Sequence, residues 1–415
     1  MTSTIMRLLE RIILQRLRAH LDANNLIIHN QSGFRSLRQT KDNLFHLVQK
    51  STENFHRGNK TLCVFFDIEK AFDKMWHKGL LYKMHRMNFP YYLIRFVENF
   101  LKNRTFFVHV DGSNTEKFVI FCGCPQGAVL SPTLFLIFIN DIPTKYERNS
   151  EYSALFADDL VYYIFYNRLS PAITSKIQNY LNCLESWANL WRLSFAPHKC
   201  NFIVLTKYGS SEDRDKIDLR LYGNKLSYEA NPKFLGITLD ENLSFEKHVE
   251  TIRASCIGRM NVLKIITYSK WQLQLRTKIT VYKSIIRSLV DYCAFLYVLM
   301  SKKSQEQLQI VQNDALRIIL KKGFNIKTKK HEKIVNLHEA AQILPIADRC
   351  EKLRSRYVIN SVANCNPLIC DAIIEYKGFA GGRILKNKTL FDNLEIFDVQ
   401  LPNKFGNNFA WNEQD

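Results

Sequence analysis

Apolar positions recur at helical spacing from the start of the chain. Leu8, Leu9, Ile12, Ile13, Leu17 and Leu21 fall every three or four residues, with Arg7, Arg11 and Arg18 among them, which predicts an amphipathic helix. A polar stretch, HNQSGFRSLRQT around Gly33, reads as a turn before a second amphipathic helix over about 41–55. Arg57-Gly58-Asn59 marks another turn, and the β-branched and aromatic run 61–67 (TLCVFFD) predicts a short buried strand. Residues 69–87 read as a helix, and FFVHVDG and FVIFCG as strands around a turn at Asp111-Gly112. Ser131-Pro132 opens a strongly apolar helix, with Ser131 as its cap and Pro132 preorganised for the first position. Residues 151–166 form a hairpin candidate, two aromatic-rich runs flanking Asp158-Asp159. A helix over 171–193, a strand over 201–206, a polar loop over 210–215 and short strands over 218–240 follow. From 245 onward the periodicity is helical, with few turn signals before Gly323. The tail after about 367 is Asn- and Gly-rich and specifies no clear element.

Two apolar runs are long enough to question. Residues 128–139 contain Ser131 and Pro132, and 289–300 carry Asp291. Both fall short of the roughly 18–20 apolar residues of a membrane-spanning helix. The charged N-terminus holds no signal-peptide core. At 415 residues, 46% hydrophobic and 23% charged, the chain has the composition of a globular protein of two to three domains, not a disordered one. The net charge of +19 is unevenly spread: +6 over residues 1–60, +3 over 61–240, +12 over 241–360 and −2 over the last 55. A nearly neutral middle between basic flanks suits a site held between surfaces that grip a polyanion. No single helix concentrates the cations as a membrane surface would require. The ten cysteines form no CxxC or Cys/His ligand set, so buried reduced thiols in an intracellular protein are expected and a structural zinc is not.

Candidate chemistry lies in the neutral middle. Asp67 ends the predicted buried strand, and Asp73 follows in DIEKAFD. Asp158-Asp159 sits at a hairpin tip, where two adjacent acids repel and neither helps the strands pair, so a compensating cation is the simplest explanation. GCPQGAVLSP is a tight Gly/Pro loop before a helix, with Gln126 as donor and acceptor. Paired carboxylates on rigid strands are what two divalent cations need for in-line phosphoryl transfer. Each signal alone is weak: a lone Asp-Asp is usually a solvated turn, and a lone DxxxxxD a helix cap or a surface face. Their combination in order is far more specific.

The order FFDIEKAFD, GCPQGAVLSPTLFLIFINDI, FADD, LSFAPHKC and KFLGITLD resembles the reverse transcriptases of non-LTR retrotransposons, in particular jockey-like elements. QSGFRSLRQT resembles that family's fingers segment; VYKSIIRSLVDYCAF and QLQIVQNDALRIIL resemble its thumb and C-terminal region. The likeness covers roughly residues 5–365. It implies an α+β right-hand polymerase fold with an antiparallel palm sheet. Residues 1–60 would be partial fingers, 61–240 palm with the remaining fingers insert at about 85–120, 241–365 a helical basic thumb, and 366–415 an unassigned tail.

By the same resemblance, Asp67, Asp158 and Asp159 bind two Mg²⁺ ions (Mn²⁺ as the alternative), and Lys199 protonates the leaving pyrophosphate. Phe72 is the steric gate against a ribose 2′-OH, though alone it would read as a core aromatic. Gln126 and Gly127 lie against the incoming nucleotide. Arg35 and Arg38 lie near template and triphosphate. Phe234, Leu235 and Gly236 form the primer-grip turn. Asp73 serves catalysis or caps a helix. The implied partners are an RNA template, a DNA primer, the RNA–DNA hybrid and dNTPs, without a membrane, in nucleus and cytoplasm. Cys124 stands where Val or Thr is usual, and Ser288 where Pro is usual. The chain begins inside the fingers, without the upstream Arg-Pro-Ile strand or an endonuclease domain. Its rivals are an inactive fragment that only binds nucleic acid, a related polymerase (RNA-dependent RNA polymerase or intron-encoded reverse transcriptase), and a basic RNA-packaging scaffold.

Overall fold

A computed structural model of the chain describes residues 3–147, 150–207, 212–268, 271–322, 324–325, 330–331, 333–380, 388–392 and 394. Gly323, Ser210 and most of the tail from 381 lie outside the described residues. The chain folds into two compact units. The first comprises Met1–Asn43, Thr61–Val204 and Glu212–Glu229; the second Leu44–Lys60, Leu205–Ser211 and Ala230–Asp415.

A six-stranded sheet organises the first unit, in the order Ser227–Tyr228, Asn201–Leu205, Lys60–Phe66, Asp159–Tyr166, Glu151–Phe156, Tyr146–Glu147. Strand Lys60–Phe66 is buried from Thr61 onward, as a run of Leu, Cys, Val and Phe with no polar alternation requires of a central strand. The hairpin pairs antiparallel in six rows, from Glu151 with Ile164 to Phe156 with Asp159. Tyr146–Glu147 also pairs antiparallel, with Glu151 and Tyr152. At the other edge, Ser227–Tyr228 pairs parallel with Asn201 and Phe202. Helix Ser131–Ile139 (SPTLFLIFI) is buried on all sides except at Pro132, because a helix apolar all round is stable only inside a core.

The structure corrects four expectations. Residues 69–76 are turns, and the helix begins only at His77, running to Arg86. Lys70 takes φ +49°, and the Phe72 and Met75 carbonyls accept from Cys124 N–H (2.9 Å) and Gly123 N–H (2.8 Å). Carbonyls committed to a distant loop cannot close helical turns. Secondly, Ser131 is not the cap of its helix. Its hydroxyl donates to the Pro125 carbonyl (2.7 Å), and the end is satisfied by Glu10, whose Oε2 accepts from Val129 N–H (2.6 Å) and Leu130 N–H (3.2 Å). A carboxylate at a helix N-terminus also meets the positive end of its dipole. Thirdly, the predicted polar loop holds a 3₁₀ turn, Glu212–Lys216.

The fourth correction lies in helix Thr40–His56. It is not amphipathic over its length: Leu44 to Phe55 are all buried, although Gln49, Lys50, Ser51, Thr52, Glu53 and Asn54 are polar. Buried polar groups persist only when partnered, and most of these are. Gln49 donates to Glu53 (2.8 Å) and accepts from Leu390 N–H (2.9 Å). Lys50 pairs with Glu375 and lies 3.7 Å from Glu53. Around them, Phe45 packs against Phe295, Tyr357 and Phe391. The rest of the second unit is mainly helical, notably Glu246–Ile266, Lys302–Leu320, Ile346–Ala363 and Pro367–Ala380, with a π-helical segment Lys283–Arg287 and two short antiparallel pairs, Lys233–Phe234 with Ile237–Thr238 and Phe324–Asn325 with Lys330–His331. No helix among the described residues is long and apolar enough to cross a membrane. All ten cysteines are free thiols, and most are buried.

Candidate active site

Asp67 is the first residue beyond strand Lys60–Phe66, where the backbone is still fixed by the sheet. Its N–H points to the Cys200 sulfur (3.5 Å), and its carbonyl accepts from Ala196 N–H (2.9 Å). The carboxylate is therefore aimed by the frame beneath it. Asp158 and Asp159 reach the same neighbourhood from the adjacent hairpin. Ala157 and Asp158 form the two-residue turn, and Asp159 opens the return strand.

The three acids interact through charge. Burial, and then the charge on Asp67, push the Asp158 carboxyl above the usual carboxylate range. For Asp159, burial and then Asp158 and Asp67 push it up to about 6. Carboxyls pushed up by burial and neighbouring negative charge favour a proton or a cation beside them. One cation is already present: the Lys199 ammonium lies 3.1 Å from Asp67 Oδ2. Among the described residues, no three His, Cys, Asp or Glu side chains converge tightly enough to hold an ion as they stand. The donor chemistry nonetheless fits a hard divalent ion, since all three groups offer carboxylate oxygen.

The Gly/Pro loop is bolted to the turns after Asp67. Gly123 has φ +83°, and a Cβ there would fall 2.6 Å from the Asp73 carbonyl oxygen. That carries two independent requirements for glycine. The Gly123 carbonyl lies 2.8 Å from His77 Nε2 and accepts from Arg104 (3.0 Å). Gln126, exposed, donates to Asp73 (3.2 Å), and Gly127 takes φ +80° with open space around it. Asp73 is thus an acceptor for the loop and caps no helix. Phe72 stacks on Phe135, with centroids 4.2 Å apart, and receives the edge of Phe34 at 6.1 Å. It is half-buried.

Arg35 stands apart. Its Nη1 donates to the Ile28 and Gln31 carbonyls (both 3.2 Å), so the structure gives it a part in holding its own loop; Arg38 is half-buried. Phe234, Leu235 and Gly236 belong to the second unit. There Leu235 (φ +45°) and Gly236 (φ +83°) make the turn between Lys233–Phe234 and Ile237–Thr238, and Tyr292 donates to the Leu235 carbonyl (2.5 Å).

The sequence did not single out Gln31 or Glu10. Residues 30–32 are buried, with Gln31 bridging to Leu155 beside the hairpin, and the turn expected around Gly33 follows at Gly33–Phe34. Ser32 N–H donates to the Leu155 carbonyl (2.8 Å), and Leu155 N–H donates to the Asn30 carbonyl (2.9 Å). Gln31 Oε1 accepts from Ala157 N–H (2.9 Å) and Gly33 N–H (2.7 Å), while its Nε2 donates to the Ala157 carbonyl (3.2 Å). Gln31 opens QSGFRSLRQT, which resembles the fingers segment, but the polar run around a glycine taken alone also describes a solvated loop.

Residues 1–239 match the family model described as reverse transcriptase (RNA-dependent DNA polymerase). The chain is 30% identical over 357 residues to the RNA-directed DNA polymerase from mobile element jockey of Drosophila melanogaster, covering 85% of this chain and 38% of that protein. It is 29% identical over 331 residues to the jockey polymerase of Drosophila funebris, covering 79% and 36%. To the probable RNA-directed DNA polymerase from transposon BS of Drosophila melanogaster it is 29% identical over 342 residues, covering 81% and 37%. The chain thus spans under two fifths of the length of these curated relatives. Among solved structures, apo telomerase from Candida Tropicalis covers 89% of this chain and 60% of its own at 10% identity, with a TM-score of 0.44, too low to carry an argument.

Proposed function

The chain belongs to the reverse transcriptase family, and from that premise we propose that it is the RNA-directed DNA polymerase portion of a non-LTR retrotransposon protein. One observation carries the reading. Asp67, Asp158 and Asp159 stand at the ends of neighbouring strands of one sheet, where burial and the charge on Asp67 push both hairpin carboxyls above the usual range. In this reading the first unit is palm with partial fingers, and the helical second unit holds the primer grip and thumb of a right-hand polymerase. The nucleic acids are an RNA template and a DNA primer.

Asp67, Asp158 and Asp159 are the groups that would hold Mg²⁺, whose chemistry is to stabilise the attacking and leaving oxygens of in-line displacement. The remaining work falls to the chain's own residues. Phe72 fills the volume a ribose 2′-OH would need and leaves a deoxyribose room. Gln126 and Gly127 line the nucleotide, the glycine leaving backbone exposed for close approach. Lys199, 58% exposed at its side chain, hands a proton to the departing pyrophosphate and keeps Asp67 oriented before substrate arrives. Positioning and electrostatics supply most of the rate in such a transfer.

The test is Mg²⁺-dependent extension of a DNA primer on an RNA template by wild type and Asp158→Ala. Extension by the wild type that vanishes in the variant is expected. No extension by either, with equal salt-sensitive hybrid binding, would replace this reading with that of an inactive nucleic-acid-binding fragment.

A further inference from the structure

The turn that carries Asp158 is conformationally expensive. Ala157 takes φ +56°, a left-handed conformation that crowds the Cβ of any residue but glycine. Glycine is the residue expected at such a position in a two-residue hairpin. A non-glycine residue stays there only where its surroundings over-determine it. Those surroundings are specific. Gln31, 2% exposed, accepts from the Ala157 N–H and donates to the Ala157 carbonyl. It therefore grips both peptide groups flanking the strained Cα. The same Oε1 also takes the Gly33 N–H. Gly33 packs so closely that a Cβ would overlap the Ala157 nitrogen. Behind it, Asn43, fully buried, donates to the Leu155 carbonyl (2.7 Å) and accepts from the Ser32 hydroxyl (2.8 Å).

We propose that Gln31 is a positioning residue for the metal-binding carboxylates: its side-chain amide clamps Ala157 in the left-handed conformation that aims Asp158 and Asp159 at Asp67. The proposal rests on reading Asp158 and Asp159 as metal ligands. Gln31 does not touch the ion or the substrate. It works through the turn, as outer partners of metal ligands do.

The test is a Mn²⁺ titration of the full chain by electron paramagnetic resonance, with melting temperature recorded in parallel. Four proteins accompany the wild type: Gln31→Ala, Ala157→Gly, the double variant, and Asp158→Ala. Gln31→Ala is expected to fold and to bind Mn²⁺ about 10- to 100-fold more weakly. Ala157→Gly should bind as wild type does. The double variant should recover most of the lost affinity, because glycine holds φ +56° without a clamp. Recovery also answers the concern that Gln31→Ala merely unsettles the fold, since the second change restores nothing but the turn. Wild-type affinity in Gln31→Ala, with affinity lost in Asp158→Ala, overturns the clamp while leaving the metal reading intact. So does a loss in Gln31→Ala that Ala157→Gly fails to rescue. Undiminished affinity in Asp158→Ala overturns the metal reading and the clamp together.

Discussion

The ring of Phe72 is stacked on Phe135 yet only half-buried, so its replacement has two separable outcomes. Phe72→Val should raise ribonucleotide incorporation relative to deoxynucleotides by at least about tenfold, read by primer extension with matched rNTP and dNTP. It should also cost about 1–2 kcal/mol in denaturant unfolding, from the lost stacking area. Unchanged sugar selectivity together with that destabilisation would leave Phe72 a core residue only. Lys83 makes a second case at this scale. It is buried, with its ammonium 3.6 Å from the Trp191 ring centroid and paired with Asp141. Burial, opposed by Asp141, pulls its pKa from 10.5 down to about 8. A cation with a depressed folded pKa is held more weakly by the folded chain than by the unfolded one. Stability therefore rises with pH between about 8 and 10.5, by up to about 3 kcal/mol. Lys83→Met, of similar length, should flatten that rise in denaturant unfolding at pH 7.5 and 10; identical pH slopes in the two proteins would refute it.

At the scale of elements, the loop around Gly123 is the joint between the turns after Asp67 and the buried helix Ser131–Ile139. Gly123→Ala meets both a left-handed φ and the Asp73 carbonyl at 2.6 Å, and should cost about 2–4 kcal/mol and displace Gln126. A melting curve within a degree of wild type would contradict this. The elements legible in advance were those whose patterns reflect local burial: the central strand, the six-row hairpin, the all-apolar helix and the helix Pro171–Leu190. The carboxylates were legible too, because acids beside apolar strands break the pattern that packing alone would write. The failures share a cause. Residues 69–76 have helical periodicity, yet their carbonyls serve Gly123 and Cys124. Asn30, Gln31, Ser32, Gln49 and Lys50 are polar, yet buried, with partners that lie far along the chain for Asn30, Gln31, Gln49 and Lys50. A pattern of hydrophobicity records where water is excluded; it does not record hydrogen bonds that make exclusion of a polar side chain tolerable.

For the whole molecule, the net charge of +19 makes polyanion binding strongly dependent on ionic strength. If about six phosphates are neutralised, hybrid affinity should fall about a thousandfold between 50 and 200 mM salt, checked by fluorescence anisotropy. A shallow slope would argue against the basic segments as the grip. Stability has its own long-range dependence. Lys50 and Glu375 are 325 residues apart in sequence, and removing one partner of a buried ion pair costs about 3–5 kcal/mol, so Lys50→Ala should lower the unfolding midpoint sharply. The pair has a further consequence in time. A ribosome adding about 5–20 residues per second needs roughly 15–65 s to travel from Lys50 to Glu375. For most of that interval helix Thr40–His56 has emerged with no helix Pro367–Ala380 to receive its amine and carboxylates. The second unit therefore cannot mature in the order of synthesis. Its first-made helix is among the last to find its place, and a nascent chain released before Pro367 leaves that helix a solvated segment for proteases and chaperones to find.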